Sequence, residues 1–364
     1  MSAAVSLSIK PEPNVDDLVK TLTRTGLPRR VPFMELFADW EMMVECCRLT
    51  GLDVNSLPDS TRVWEVTRHF YYTLGYDYVP CAPGNFGFPR ELLLAEDTAH
   101  ALKRASRSWT DEHRGPIATW DDFERYPWPD PTKLDLSAFE WYEKNLPDGM
   151  GIATGAHSVF EQVTWLMGYE TLCISLYDAP DLVDAMFARI GALFHEVAKT
   201  LVQIPRVRIL MGGDDMGFKT QTMVPPHVLI EKSFPWHRRN SLVAHERGIP
   251  NVLHSCGNLT GLWDAIIDYC QYDGKHSFED VIEPVWEAKA RLGDRISLVG
   301  GVDVDFLCRA SEDQVRKRVR FILERCMPGG GYCLGTGNTA CNYIPVRNYL
   351  AMLDEGYKCG WYSR

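Results

Sequence analysis

From residue 148 onward the chain repeats one pattern: a short apolar run closing on glycine or a polar residue, then a stretch of helical period. The runs are 149–155, 207–215, 251–256, 274–280, 296–303 and 331–338. Between and after them the spacing predicts helices over 158–169, 179–204, 226–247, 259–270, 281–292 and 311–326. The long one carries Leu182, Met186, Ile190, Phe194 and Val197 on one face. Ser311 and Gln314 have capping-box spacing, and Pro345 opens a closing helix. Two earlier runs, 30–36 and 75–80, with helices over 39–50 and 58–74, extend the rhythm to eight strands. Strand–helix alternation requires a parallel sheet with helices packed on it. No GxGxxG follows the first strand, which argues against an open dinucleotide-binding sheet. The fold expected is α/β, a (β/α)8 TIM barrel with a helical and loop-rich N-terminal extension.

Residues 1–29 read as a polar lead-in with a helix near 15–25, and 30–364 as the barrel. Within it, 81–146 is polar and aromatic-rich, with Trp109, Trp120, Trp128 and Trp141. Loops and short helices that cover the barrel are expected there, the tryptophans packing that cover. A net charge of −11 opposes binding to a phosphate backbone, so no nucleic-acid partner is expected. The 11 cysteines form no CxxC, and neither a signal-type leader nor an 18-residue apolar run occurs. A cytoplasmic protein with reduced thiols and no membrane partner is the simple expectation.

In a barrel of this type the chemistry sits where strands end. The polar residues expected on that rim are Glu35, Asp77, Asp214, Asp215, His254, Cys256, His276, Glu279, Asp303 and Asn338. His254 and Cys256 stand two apart on one strand and therefore share a face, roughly 7 Å apart along the chain. An imidazole and a thiolate so placed suit a tetrahedral zinc with open positions. The plain alternative is a buried thiol beside a hydrogen-bonded histidine. Asp214 and Asp215 can divide into a protonated and an ionised carboxyl, or one can cap the next helix. His276 can orient a ligand or make a structural bond. Asp303 follows Gly300-Gly301, where missing side chains admit a ligand. Arg208 lies mid-strand and is expected to pair with a rim acid.

Four motifs, His254-Ser-Cys-Gly-Asn, Lys275-His-Ser-Phe-Glu-Asp, Leu298-Val-Gly-Gly-Val-Asp-Val and Gly330-Gly-Tyr-Cys-Leu-Gly-Thr-Gly-Asn338, resemble the uroporphyrinogen decarboxylase superfamily. The likeness runs over about 30–358 and implies a (β/α)8 barrel. The decarboxylases hold their substrate's carboxylates with arginines in an early Pro-Val-Trp-x-Met-Arg-Gln-Ala-Gly-Arg-Tyr segment. Here Pro32–Trp40 lacks them, and Glu35, Asp39 and Glu41 stand in the region instead. Corrinoid-dependent methyltransferases of the superfamily bind zinc through His-x-Cys and a distant cysteine. That implies His254 and Cys256 as ligands, with Cys341 or Cys333 as the third, because Asn338 occupies the family's cysteine position. A carboxylate such as Glu35 or Asp303 is the other way to complete the set.

The expected activity is zinc-assisted methyl transfer between a small substrate or thiol and a corrinoid protein. Asp214, Asp215, Asp77 and His276 are the catalytic candidates, and Glu35, Glu279, Asp303 and Asn338 the substrate-binding ones. Two alternatives stand beside it. One is a cofactor-free decarboxylase relying on Asp77 or Asp214; the other is a non-catalytic barrel that sequesters a tetrapyrrole or corrinoid. Large covered barrels often pair, so a homodimer is also an expectation.

Overall fold

The alternating pattern becomes a parallel ladder. The computed structural model describes residues 6–111, 113–155 and 158–363; the first five residues of the lead-in lie outside them. Among the described residues the strands are β1 (Tyr78–Pro80), β2 (Leu92–Ala95), β3 (Arg107–Thr110), β4 (Gly151–Thr154), β5 (Val207–Gly213), β6 (Asn251–His254), β7 (Gly274–His276), β8 (Ser297–Val299) and β9 (Tyr332–Cys333). Seven of them form one sheet in the order β1-β4-β5-β6-β7-β8-β9, every pairing parallel. Strands covered on both faces need apolar residues throughout, and Ile152, Ile209, Leu210, Val252, Leu253, Leu298 and Val299 are all fully buried.

The run 30–36 takes the eighth position without becoming a ladder strand. Phe33 bridges Leu334 in parallel, Met34 N donates to the Leu334 carbonyl at 2.9 Å, and Leu334 N donates to the Pro32 carbonyl at 2.9 Å. Pro32 has no N–H, which prevents the pairing from extending. On the side of β1 a side chain bridges the gap. Tyr78 Oη accepts from Glu35 N at 2.9 Å and donates to the Glu35 carbonyl at 2.6 Å. The barrel thus closes through a proline-interrupted seam.

Helices cover the sheet much as the periodicity predicts, with three local differences. Gly168, at φ 79°, splits the segment after β4 into Val159–Met167 and Tyr169–Asp178, the second of which sequence spacing misses. The helix expected over 226–247 contains a wide turn at Leu229–Ser233, where Phe234 N bonds the Leu229 carbonyl and Pro235 has no N–H to offer. Of the helix expected over 259–270, little remains beyond the single wide turn Ala265–Tyr269; Gly257 and Gly261 both have positive φ. The Ser311–Gln314 capping box forms, and the helix it opens spans Glu312–Cys326. Residues 81–146 contain the antiparallel pair β2–β3 as well as helices Trp120–Arg125 and Ser137–Asn145. The hairpin escapes sequence reading because Leu92-Leu93-Leu94 shows no alternation and its connection is too long for a turn signal. No helix among the described residues is long and apolar enough to cross a membrane.

Candidate active site

The sheet register sets Gly213, His254 and His276 side by side at the carboxyl ends of β5, β6 and β7. Gly213 contributes no side chain, so the His254 ring can lie over it, 3.5 Å from where a Cβ would stand. His254 Nδ1 and His276 Nδ1 are 2.7 Å apart. On the other edge of the ring, His254 Nε2 lies 3.5 Å from Cys256 Sγ and 3.6 Å from Asp215 Oδ1. Asp215 also accepts from Cys256 N at 2.8 Å. These contacts depend on two glycines that press the loop after β6 onto the loop after β5. A Cβ on Gly257 would fall 2.1 Å from the Gly217 carbonyl oxygen, and Gly257 adopts φ +80°, a region that excludes most side chains. Asn258 N then donates to the Phe218 carbonyl at 2.7 Å, and Met216 N to Ser255 Oγ at 3.2 Å.

One ligand atom from each of Asp215, His254 and Cys256 lies within 4.8 Å of the others. Zinc bonds of about 2.3 Å to sulfur and about 2.0–2.1 Å to nitrogen or oxygen, at tetrahedral angles, space neighbouring donors about 3.3–3.6 Å apart. The sulfur–nitrogen and nitrogen–oxygen separations of 3.5 and 3.6 Å match that spacing. A carboxylate, a thiolate and a neutral imidazole would together offset a divalent charge.

The surroundings favour neutral forms while no cation is bound. Burial, then Lys275, drives the His254 imidazole down to about 3, so it stays uncharged. Burial, then Asp215, pushes the Cys256 thiol up to about 12. Asp215 itself is raised, chiefly by burial. Lys275 is buried on β7; loss of solvent brings its amine down to about 8 even though Cys256 and nearby acids pull the other way. It donates to the Ser277 carbonyl and stands 4.4 Å over the Phe278 ring. Asn338 Nδ2 donates to Cys256 Sγ at 3.1 Å. Asn338 lines a cavity of about 1000 Å³ with Glu279, Asp303, Phe306 and Tyr343, while Lys275, Trp263 and Phe278 line a second one of about 350 Å³.

Comparison with known proteins fits this architecture. The family model described as uroporphyrinogen decarboxylase (URO-D) matches residues 112–358, two thirds of the chain. The chain belongs to the uroporphyrinogen decarboxylase family. It is 27% identical over 133 residues to a methylated-thiol–coenzyme M methyltransferase of Methanosarcina mazei. It is also 34% identical over 76 residues to a uroporphyrinogen decarboxylase of Thioalkalivibrio sulfidiphilus. The first match covers 36% of this chain and 33% of the relative. The second covers 21% of each, so the chain matches a third or less of either relative's length. A solved methyltransferase from Methanosarcina mazei superposes over 95% of this chain and 99% of its own, with a TM-score of 0.66 at 17% identity. That likeness establishes the shared barrel.

Within this family fold the residues expected on the rim divide. Asp214 is fully buried and turned away. It accepts from Phe160 N (3.1 Å) and Glu161 N (2.7 Å) at the start of helix Val159–Met167, and from Ser233 Oγ (3.2 Å), and lies 2.8 Å from His237 Nε2. Asp77 precedes β1 and so lies at the opposite, amino-terminal end of the barrel. There it pairs with Arg30 at 3.2 Å and accepts from Asn14 N at 2.8 Å; burial raises its carboxyl despite the guanidinium. Glu35 is sealed at the seam, where it accepts from Thr336 N at 2.9 Å and Thr336 Oγ1 at 2.5 Å, and desolvation raises it to about 8. Asp303 caps helix Val304–Arg309 through Phe306 N at 2.9 Å and also accepts from Asp280 N at 3.0 Å. Glu279 remains at the junction of the two cavities, raised by burial and by Asp303.

Neither cysteine expected as a third ligand joins His254 and Cys256; Asp215 does. Cys341 lines the larger cavity, beyond Asn338, and Cys333 is buried in β9 opposite Val299. Arg208 faces outward and pairs with Asp16 of helix Val15–Leu22 at 2.6 Å, not with a rim acid. Two groups went unselected in the sequence. Lys275 appears there only as part of a motif. Glu161, bonded by Ser158 Oγ at 2.8 Å, is pushed to about 8 by burial and then by Asp215 and Asp214. The Ser158-x-x-Glu161 spacing has the form of a capping box, but Ser158 makes no cap hydrogen bond and only its hydroxyl reaches Glu161.

Proposed function

We propose that this chain is a methyltransferase that holds zinc through Asp215, His254 and Cys256 and exchanges a methyl group between a small substrate or thiol and a corrinoid protein. The observation that supports the reading is that the three donor atoms lie within 4.8 Å of one another, His254 Nε2 being 3.5 Å from Cys256 Sγ and 3.6 Å from Asp215 Oδ1, next to Asn338, which lines a cavity of about 1000 Å³. Partial identity to a methylated-thiol–coenzyme M methyltransferase supports the same chemistry. Zinc supplies a Lewis acid that lowers the proton affinity of a sulfur or oxygen bound in its open position.

The chain's own residues do the rest. Asp215 and Cys256 provide the negative charge that fixes the cation, and His254 offers a neutral lone pair because burial keeps it unprotonated. Asn338, which lines the larger cavity, holds the Cys256 sulfur by hydrogen bonding. The proton that a bound thiol gives up passes to solvent. The bond changes balance: the methyl–cobalt bond breaks with its electron pair left on cobalt, and the methyl–sulfur bond forms from the thiol's pair. The decarboxylase alternative needs Asp77 or Asp214, yet Asp77 is ion-paired at the far end and Asp214 caps a helix. The test is loss of the methyl–cobalt absorbance of methylcobalamin when zinc-loaded protein and a small thiol are added. The expected result is zinc-dependent loss that His254→Ala abolishes; loss unaffected by that substitution, or no loss with any thiol, contradicts the proposal.

A further inference from the structure

A third cavity, of about 350 Å³, lies at the carboxyl ends of three neighbouring strands: Pro80, Thr154 and Gly213, the last residues of β1, β4 and β5, all line it. Leu36 of the seam, Tyr78, Cys81 and Met211 are among its other walls. Gly155 lets β4 and β5 close around it, since a Cβ there would fall 2.1 Å from the Met211 carbonyl oxygen. Gly213 is also the residue over which the His254 ring lies, so the cavity borders the candidate metal site on its β5 side. Reacting molecules bind at this end of a barrel, and the volume suits a small one.

Two properties of the walls define what fits. The first is the lack of charge: no described residue that lines this cavity bears an ionised side chain. By contrast, Glu279, Asp280, Asp303 and Asp305 line the larger cavity, and Lys275 and Arg291 the one beside Trp263. Burial keeps the Tyr78 hydroxyl and the Cys81 thiol protonated. A charged group placed here would lose its hydration without gaining a counter-charge. The second property is one polar group left over. Tyr78 Oη is committed to the Glu35 backbone, both as acceptor and as donor. Thr154 is 3% exposed, and its Oγ1 has no hydrogen-bond partner among the described residues. A buried hydroxyl in that state is destabilising, and a ligand atom that meets it removes the penalty.

We propose that this cavity takes up the small thiol of the reaction proposed above, that the thiol is an uncharged one, and that Thr154 selects it by hydrogen bonding an oxygen at the end remote from the sulfur, which lies toward Gly213 and His254. The role of the bound molecule rests on that proposed reaction; its binding does not.

Three thiols of one length test the claim: mercaptopropanol is neutral, mercaptopropionate anionic and aminopropanethiol cationic. Ligand-observed NMR titrations of full-length, chelator-treated protein give their dissociation constants with no metal involved. The neutral thiol should bind at least about tenfold more tightly than either charged one. Thr154→Val keeps the side chain's shape and removes its hydroxyl. It should weaken mercaptopropanol about 5–10-fold and leave propanethiol, which has no oxygen, within about twofold of wild type. No binding of mercaptopropanol, or tighter binding of either charged thiol, overturns the proposal, as does a Val variant that holds both neutral thiols like the wild type or loses both equally. Should that variant fail to fold, the charge series on the wild-type chain decides alone. The expected pattern in a protein that takes up no zinc would remove the proposed metal chemistry and leave this pocket assigned.

Discussion

Asp214 and Asp215 are neighbours whose side chains leave the backbone in opposite directions, one into a helix terminus and the other into the candidate metal site. Asp215→Asn removes a charged donor, so zinc affinity should fall at least about tenfold with little change in stability, as isothermal titration and thermal melts would show. Asp214→Asn replaces with an amide nitrogen one of the two buried oxygens that accept from Phe160 N, Glu161 N and Ser233 Oγ. It should cost about 2–4 kcal/mol in urea unfolding while zinc stoichiometry stays near wild type. The pairing of His254 with Cys256 was expected from alternation along a strand over 251–256; β6 ends at His254, and Cys256 reaches the imidazole from the loop that follows. Asp215 as their companion was not expected, because it arrives from another strand through a loop contact. Asp77 was misplaced for a related reason: pairing of Tyr78 with Gly151 starts the strand after it, which puts it at the wrong end.

At the level of elements, the glycines of the β5 and β6 loops make the site three-dimensional. Gly257→Ala would force a Cβ to within 2.1 Å of the Gly217 carbonyl at φ +80°. The predicted outcome is about 1–3 kcal/mol of lost stability together with weaker zinc binding, since Cys256 and Asp215 would part. Unchanged affinity in a stably folded Gly257→Ala protein would show that the two loops are not coupled. Strand ends and most helices were readable because burial on both faces demands apolar runs and helical spacing. The wide turns at Leu229–Ser233 and Ala265–Tyr269 were not, since period alone cannot show where an i→i−4 bond is skipped. The expectation of Cys341 or Cys333 came from a family resemblance, and packing places the first beyond Asn338 and the second inside β9.

Across the whole molecule, the barrel's seam buries one carboxyl away from water. Burial raises the Glu35 carboxyl from its ordinary value of 4.5 to about 8 in the folded protein. Between these values the native state holds a proton that the unfolded chain has released, so stability is lost as pH rises through the window. The slope from this single group approaches about 1.4 kcal/mol per pH unit. Urea midpoints of Glu35→Gln should therefore lack this decline and exceed those of wild type above pH 8; parallel curves for the two proteins would refute the assignment.

The account as a whole depends on whether a divalent cation joins Asp215, His254 and Cys256, and zinc content measured by plasma mass spectrometry on untagged protein answers that most directly. About one zinc per chain in the wild type, largely lost in His254→Ala, Cys256→Ser and Asp215→Asn but retained in Asp303→Ala, is the expected result. A folded wild-type protein that binds no zinc, or triad variants that keep theirs, would contradict it.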